Sequence, residues 1–96
     1  MPKLSVTIIT RDEAANLAAA LDSVAWADEI VVVDSESTDA TVEIARRYTS
    51  KVLVRSWPGY VAQKNRAAEE ASHDWILSLD ADERVSPALA AEIQAL

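Results

Sequence analysis

Four short apolar runs alternate with segments of helical spacing, and this alternation limits the folds open to the chain. The runs cover residues 4–10, 29–33, 51–55 and 75–79, and each has the length of a strand buried on both faces. Helical spacing of apolar residues follows Asp12, follows Asp39 and continues from Val61. Regular alternation with short connections predicts right-handed crossovers and a parallel sheet covered by helices.

A further helix is predicted at the end of the chain. Ser86 can cap it and Pro87 suits its first turn, while Leu89, Ile93 and Leu96 share one face. The predicted fold class is therefore α/β, a Rossmann-like three-layer sandwich with a mainly parallel four-stranded sheet.

Composition predicts one small domain over residues 1–96. Half of the 96 residues are apolar and 26% are charged, and there is no cysteine. No apolar run approaches the roughly 20 residues of a membrane span, so we expect a soluble, cytoplasmic domain. Sixteen acids against nine bases give a net charge of -7, which argues against a nucleic-acid partner, because clustered bases supply that affinity.

Ligands of parallel α/β sheets bind beyond the carboxyl ends of the strands. That rule selects Thr10 and Arg11 after the first predicted strand and Asp34 after the second. It also selects residues 55–59 after the third strand and residues 80–83 after the fourth. Carboxylates lie within a few residues of three of these four ends.

Asp80 and Asp82 are the candidate metal ligands. The single glycine of the chain, Gly59, excludes a glycine-rich phosphate loop. Two aspartates one residue apart can instead direct oxygens at a hard divalent cation, which neutralises phosphate oxygens. An acidic surface turn is the competing interpretation, but the position directly after an apolar strand favours metal binding.

Three further side chains could face a nucleotide at the same edge. Asp34 could serve only to start the next helix, but Ser37, Thr38 or Asp39 supplies a cap nearer that helix. We therefore expect Asp34 to be free to accept hydrogen bonds from a nucleoside. Arg11 and Lys64 are solvated surface charges by default, but either could contact a diphosphate.

The aromatic residues after the third predicted strand have two possible roles. Trp57, Pro58 and Tyr60 could form a wall for a base or a sugar, or they could pack within the loop or the core.

Four segments carry a resemblance to the amino-terminal part of family 2 glycosyltransferases, which have the GT-A fold. They are residues 6–13, residues 29–39, the run Ala62-Gln63-Lys64-Asn65 and residues 77–83. Residues 54–60 further resemble bacterial glucosyltransferases of lipopolysaccharide core assembly.

The resemblance implies a nucleotide-sugar donor, a glycan or lipid-linked acceptor, and Mg²⁺ or Mn²⁺. It implies that Thr10 and Asp34 contact uracil or ribose and that Lys64 contacts the nucleotide. It assigns ribose, diphosphate and metal to Asp80 and Asp82. For a full-length enzyme it implies work in the cytoplasm or at the cytoplasmic face of the inner membrane.

The chain departs from the family pattern in three ways. Asp12 stands where the family usually has Asn, and Glu36 stands where it usually has Gly. The acceptor site and the general base belong to a later segment of the family, so we predict no catalytic residue here and little or no sugar transfer by this chain alone.

Without that segment the strand at residues 75–79 would present an open apolar edge, which predicts a homodimer by edge pairing or by exchange of the terminal helix. Two other function classes stay open. A non-catalytic nucleotide- or protein-binding module would use the same acids without turnover. A phosphoacceptor signalling domain ranks behind, because it needs an aspartate ending the third strand, where the chain has Val54, Arg55 and Ser56.

Overall fold

The computed structural model describes residues 2–96 and contains four strands alternating with four helices. In chain order the elements are β1 (Leu4–Thr10), α1 (Ala14–Ser23), β2 (Glu29–Asp34), α2 (Thr41–Arg46), β3 (Val52–Val54), α3 (Tyr60–Glu70), β4 (Trp75–Asp80) and α4 (Pro87–Gln94). The predicted alternation is confirmed. The third strand is shorter than predicted, at three residues.

All strand pairs are parallel, in the order β3-β2-β1-β4. Thr10 lies opposite Asp34 in the β1–β2 pair, and Ile9 lies opposite Asp80 in the β1–β4 pair. The register therefore brings the carboxyl ends of these three strands to the same edge of the sheet.

Helices cover both faces of the sheet and complete the three predicted layers. Alternate residues of β1 and β2, such as Val6 and Val32, pack with buried residues of α1, α2 and α4 in the main core. Val31 and Val33 point to the other face, where they form a smaller cluster with Ala67 of α3. Successive strand residues point to opposite faces, which explains this division.

The prediction that every strand is buried on both faces is wrong for β3 and β4. Both are edge strands, since β1 and β2 occupy the middle of the sheet. Trp75 and Ile76 of β4 are 41% and 43% exposed. The open edge predicted for the fourth strand is thus confirmed, and apolar sequence alone did not distinguish a central strand from an edge strand.

The ends of α4 and α2 form differently. Ser86 caps α4 as predicted, because its hydroxyl accepts a hydrogen bond from the Leu89 N–H at 3.1 Å. At α2 the N-cap position is Ala40, which has no side-chain cap. The Asp39 carboxylate lies one residue earlier and accepts from the Thr41 N–H at 3.0 Å. Within residues 2–96, no helix is long and apolar enough to span a membrane.

Candidate functional site

A cleft of about 260 Å³ lies at the carboxyl edge of the sheet, with four of the predicted site residues in its wall. Thr10 and Arg11 come from the end of β1, and Asp80 and Asp82 come from the end of β4. These strands are neighbours, so the parallel register places their ends side by side. The remaining wall is made by Ile9, Glu13, Trp57, Tyr60 and Ala81.

The turn after β4 contains three carboxylates, of which those of Asp80 and Asp82 face solvent and that of Glu83 hydrogen-bonds within the turn. Glu83 closes the turn, because its Oε1 accepts from the Asp80 N–H at 2.9 Å and its own N–H donates to the Asp80 carbonyl at 2.9 Å. Ala81 between the two aspartates is buried in the main core. Asp82 is exposed, and the side chain of Asp80 is 48% exposed. The turn is therefore anchored on the core while both aspartates face solvent.

Lys64 reaches the same turn from α3. Its Nζ lies 3.9 Å from Asp80 Oδ1 and 4.8 Å from the centre of the Tyr60 ring. The contact with Tyr60 raises the pKa of Lys64 above its ordinary value, against the opposing effect of partial burial, and the charges of Asp80 and Glu83 add to the rise. Lys64 is therefore an ammonium ion at neutral pH and lies beside the carboxylate of Asp80.

Asp34 is not free, contrary to the sequence-based expectation. The residue is fully buried, and its Oδ1 accepts from the Thr10 hydroxyl at 2.7 Å and from the Ser37 hydroxyl at 2.5 Å. Its Oδ2 accepts from the Ser37 N–H at 2.8 Å. Buried carboxylates need such donors, so in this structure Asp34 braces Thr10 from behind the cleft and does not line it.

The loops after β1 and β2 are tied together through side chains. The Asp12 N–H donates to Ser37 Oγ at 2.8 Å, and Asp12 Oδ1 accepts from the Thr38 N–H at 2.7 Å. Asp39 Oδ2 accepts from the Ala14 N–H at 3.2 Å. The pKa of Asp39 is lowered, first by its hydrogen bond from the Thr41 hydroxyl. Asp39 thus supports the loop, and the N-cap position of α2 is Ala40.

The two residues that differ from the family pattern, Asp12 and Glu36, have left-handed backbone. Asp12 has φ 50° and Glu36 has φ 51°. Asn and Asp tolerate this region better than other residues with a Cβ, whereas Glu carries its ordinary cost. A glycine at position 36 would fit this conformation without strain.

The donor set at the cleft fits a divalent cation that also binds a ligand. Residues 2–96 contain no group of three or more His, Cys, Asp or Glu side chains placed to hold a metal, so the protein itself offers the two carboxylates of Asp80 and Asp82. Mg²⁺ is commonly held by one or two carboxylates together with phosphate oxygens and water. Mn²⁺ accepts the same oxygen ligands.

Glu13, Trp57 and Tyr60 also line the cleft, and of these three only Glu13 was not predicted from the sequence. Glu13 lies at the start of α1, three residues past β1, which a search confined to the strand ends misses. The two aromatic residues were recognised as candidates, but sequence could not decide between a ligand wall and packing. Their exposures of 46% and 52% show that neither is packed in the core.

The chain is similar to known glycosyltransferases over nearly its whole length. The family model described as Glycosyl transferase family 2 matches residues 5–95. An uncharacterized glycosyltransferase of Rickettsia felis is 52% identical over 95 residues, which cover 98% of this chain and 34% of the relative. The lipopolysaccharide core biosynthesis glycosyltransferase LpsC of Rhizobium meliloti is 38% identical, over 93% of this chain and 36% of the relative.

A solved structure agrees with these matches. The crystal structure of S. aureus TarS 1-349 in complex with UDP-GlcNAc has a TM-score of 0.78 to this chain at 28% identity, and the match covers 97% of this chain and 30% of that one. The chain thus spans about a third of the length of the curated relatives described above.

Proposed function

Because the chain belongs to glycosyl transferase family 2 and forms the amino-terminal part of the GT-A fold, we propose that its cleft binds the UDP-sugar donor of a sugar transfer. The observation that carries this proposal is the convergence of Thr10, Arg11, Asp80 and Asp82 on one cleft. The UDP-GlcNAc complex of the structurally similar TarS supports the class of donor.

We propose that the diphosphate of the donor binds on the side of the cleft that carries Asp80 and Asp82, through a divalent cation. Asp80 and Asp82 would hold Mg²⁺ or Mn²⁺, and the bound cation would neutralise the diphosphate and stabilise the departing nucleoside diphosphate. Lys64 and Arg11 would supply further positive charge. The 3.9 Å distance between Lys64 Nζ and Asp80 Oδ1 supports this role, because a cation arriving at Asp80 frees the ammonium to meet a phosphate oxygen.

Thr10 and Asp34 would act as a pair at the uracil or ribose. Asp34 accepts a hydrogen bond from the Thr10 hydroxyl and so fixes the side-chain rotamer of Thr10. A ligand donor can still bond to Thr10 Oγ1, since a hydroxyl carries two acceptor lone pairs. In the conformation described, Asp34 would thus act on the nucleotide through Thr10. Direct contact would require Ser37 to move away.

Calorimetric titration of nucleotides with and without Mn²⁺ tests the donor site. UDP and UDP-sugars should bind only with metal, and Asp82→Asn should abolish that binding because the carboxylate ligand is lost. Asp74→Asn is the matched control, since Asp74 is an exposed acid before β4, at the opposite end of that strand. Absence of nucleotide binding, or unchanged binding in the Asp82 variant, would refute the assignment.

We propose that the parent enzyme transfers the sugar with inversion to a glycan or lipid-linked acceptor such as a lipopolysaccharide core. The 38% identity to LpsC supports this acceptor class. The chain alone would bind donor without transferring sugar, since it spans only about a third of its relatives. Donor hydrolysis above that of an Asp80→Asn, Asp82→Asn double variant would contradict this inactivity. Saturable binding without turnover is the expected result, and it is also what a non-catalytic nucleotide-binding module would give.

We further propose that two copies of the chain pair through the open edge of β4. Natural edge strands avoid such pairing with charged residues, proline or bulges. The outer strand β4 has an uncharged run at residues 75–79 that contains no proline. Trp75 and Ile76 on this strand are exposed.

Sedimentation at rising concentration tests the dimer. Ile76 and Ser78 point to the same face of β4. In the double variant Ile76→Lys, Ser78→Lys the new charges would repel their copies across an antiparallel pair of β4 strands, so this variant should be a monomer. Val61→Lys is the control, because Val61 is 70% exposed and belongs to α3 and not to β4. A monomeric wild-type chain would refute the proposal.

We propose a cytoplasmic location for the chain, at the cytoplasmic face of the inner membrane for a longer parent protein. A cysteine-free sequence is compatible with a reducing compartment. Fractionation of a tagged parent protein tests this location, and recovery outside the cytoplasm and inner membrane would contradict it.

A further inference from the structure

Two exposed aromatic side chains stand in the wall of the cleft, together with Asp80 and Asp82. Trp57 is 46% exposed and Tyr60 is 52% exposed, and both line the cleft with Thr10 and Arg11. The acids come from the end of β4, at one edge of the sheet. The aromatic residues belong to the connection from β3, at the other edge, into α3.

The segment that carries these rings is conformationally restricted. The residue before a proline is held in extended backbone, so Pro58 restricts Trp57. Gly59 follows with φ 111° and is the N-cap position of α3, which begins at Tyr60. A restricted segment loses little entropy when a ligand orders it further.

Lys64 holds the Tyr60 ring from one side. Its ammonium lies 4.8 Å from the ring centre, within the range of a cation–π contact. Tyr60 is still 52% exposed, so part of its side chain is accessible to a ligand. The same ammonium lies 3.9 Å from Asp80 Oδ1, so one cation connects the aromatic side of the cleft with the acidic side.

From this arrangement we propose that Trp57 and Tyr60 form a stacking platform for the nucleobase of the donor, an inference that rests on the proposed function. A base presents flat apolar faces and a polar edge, and the platform offers aromatic faces beside the hydroxyl of Thr10 and the guanidinium of Arg11. The cleft volume of about 260 Å³ lies below the roughly 300–1,000 Å³ of sites for whole drug-sized ligands. It therefore encloses part of a nucleotide sugar. The base would lie on the platform, and the diphosphate would extend toward Asp80 and Asp82.

Titrations of uridine monophosphate (UMP), UDP and a UDP-sugar with the purified chain and Mn²⁺ test the platform. Loss of one stacked ring is expected to weaken base binding by roughly 5- to 150-fold. Trp57→Ala and Tyr60→Leu should therefore weaken all three ligands by similar factors. Trp75→Ala is the matched control, because Trp75 is 41% exposed at the opposite end of β4, and it should bind as the wild type does.

Tryptophan fluorescence gives a second readout. The chain has three tryptophans, and a base stacked on Trp57 should quench its emission. Trp57→Phe keeps an aromatic face, so it should retain most of the UMP affinity while losing the quenching. Trp75→Phe should retain both the affinity and the quenching.

The outcomes separate this inference from the donor-site proposal. Metal-dependent UDP binding that is unchanged in Trp57→Ala and Tyr60→Leu would overturn the platform and leave the donor site standing. Weakening confined to the UDP-sugar would assign the rings to the sugar and also overturn it. A wild-type chain that binds no nucleotide would overturn both proposals.

Discussion

Replacing Glu36 with glycine should stabilise the fold, because Glu36 has left-handed backbone. Its φ is 51°, and this region costs a residue with a Cβ about 1–2 kcal/mol. Glycine removes that strain but gains freedom in the unfolded chain, which offsets about 0.4–1 kcal/mol. The side chain of Glu36 forms no hydrogen bond or ion pair within residues 2–96, so little else is lost.

Subtracting the two ranges leaves a net gain of about 0–1.6 kcal/mol in the free energy of unfolding, with a central value of about 0.8 kcal/mol. For a domain of 96 residues the central value corresponds to a rise in Tm of about 3–6 °C. Urea unfolding followed by circular dichroism measures the free energy directly, and a thermal melt checks the sign.

Glu36→Ala separates the backbone from the charge. Alanine removes the carboxylate but keeps the Cβ that causes the strain, so this variant should not share the gain in stability. A Glu36→Gly chain no more stable than Glu36→Ala would refute the strain argument.

The same pair of variants tests donor affinity. We expect Glu36→Gly to bind UDP more tightly than the wild type. The substitution removes a negative charge from the loop after β2, and glycine lets this loop approach the ligand more closely. Equal tightening in Glu36→Ala would assign the effect to charge. Unchanged affinity in both variants would remove Glu36 from the account of the donor site.

Three further predictions concern other parts of the fold. Burial would raise the pKa of Glu29, but hydrogen bonds from Lys51, Ser72 and Ser5 lower it to about 2 from 4.5. The lowered pKa stabilises the folded state by at most about 3 kcal/mol. This contribution should be present above pH 4.5 and disappear as pH falls toward 2. Urea unfolding of Glu29→Gln should lack this part of the pH dependence. Gln63→Leu should raise the free energy of unfolding by about 1–3 kcal/mol, since both polar side-chain atoms of Gln63 are buried without a partner in the described chain, and a lower Tm would contradict this. Gly59→Ala should lower the Tm through backbone strain alone, because φ is 111° while an added Cβ meets no atom within 4 Å; no change would show that the loop adapts.

Much of the fold could be predicted from local pattern. The bounds of β1 were predicted to the residue, and β2 and β4 each extend one residue further, to Asp34 and Asp80. These runs are apolar and rich in β-branched residues, and their length is typical of a buried strand. The strand β3 was predicted one residue too long at each end. Lys51 and Arg55 still make backbone hydrogen bonds to Val32 and Asp34 of β2 but lie outside the strand.

The candidate site was predictable in position and less so in detail. Thr10, Arg11, Asp80 and Asp82 were selected by the rule on strand ends and do share a cleft. Asp34 obeys the same rule, yet its carboxylate turns inward to Thr10 and Ser37. The direction of a side chain at a strand end depends on neighbouring loops, which lie distant in sequence.

The sequence by itself determined the layers, the parallel sheet and the edge at which polar residues gather, because hydrophobic periodicity and strand–helix alternation are properties of neighbours along the chain. Only the tertiary structure decided that Trp57 and Tyr60 face the cleft and that Asp34 lies behind it. Those outcomes depend on which distant segments meet, and the loops from β1, β2 and β3 take their final arrangement from contacts between them.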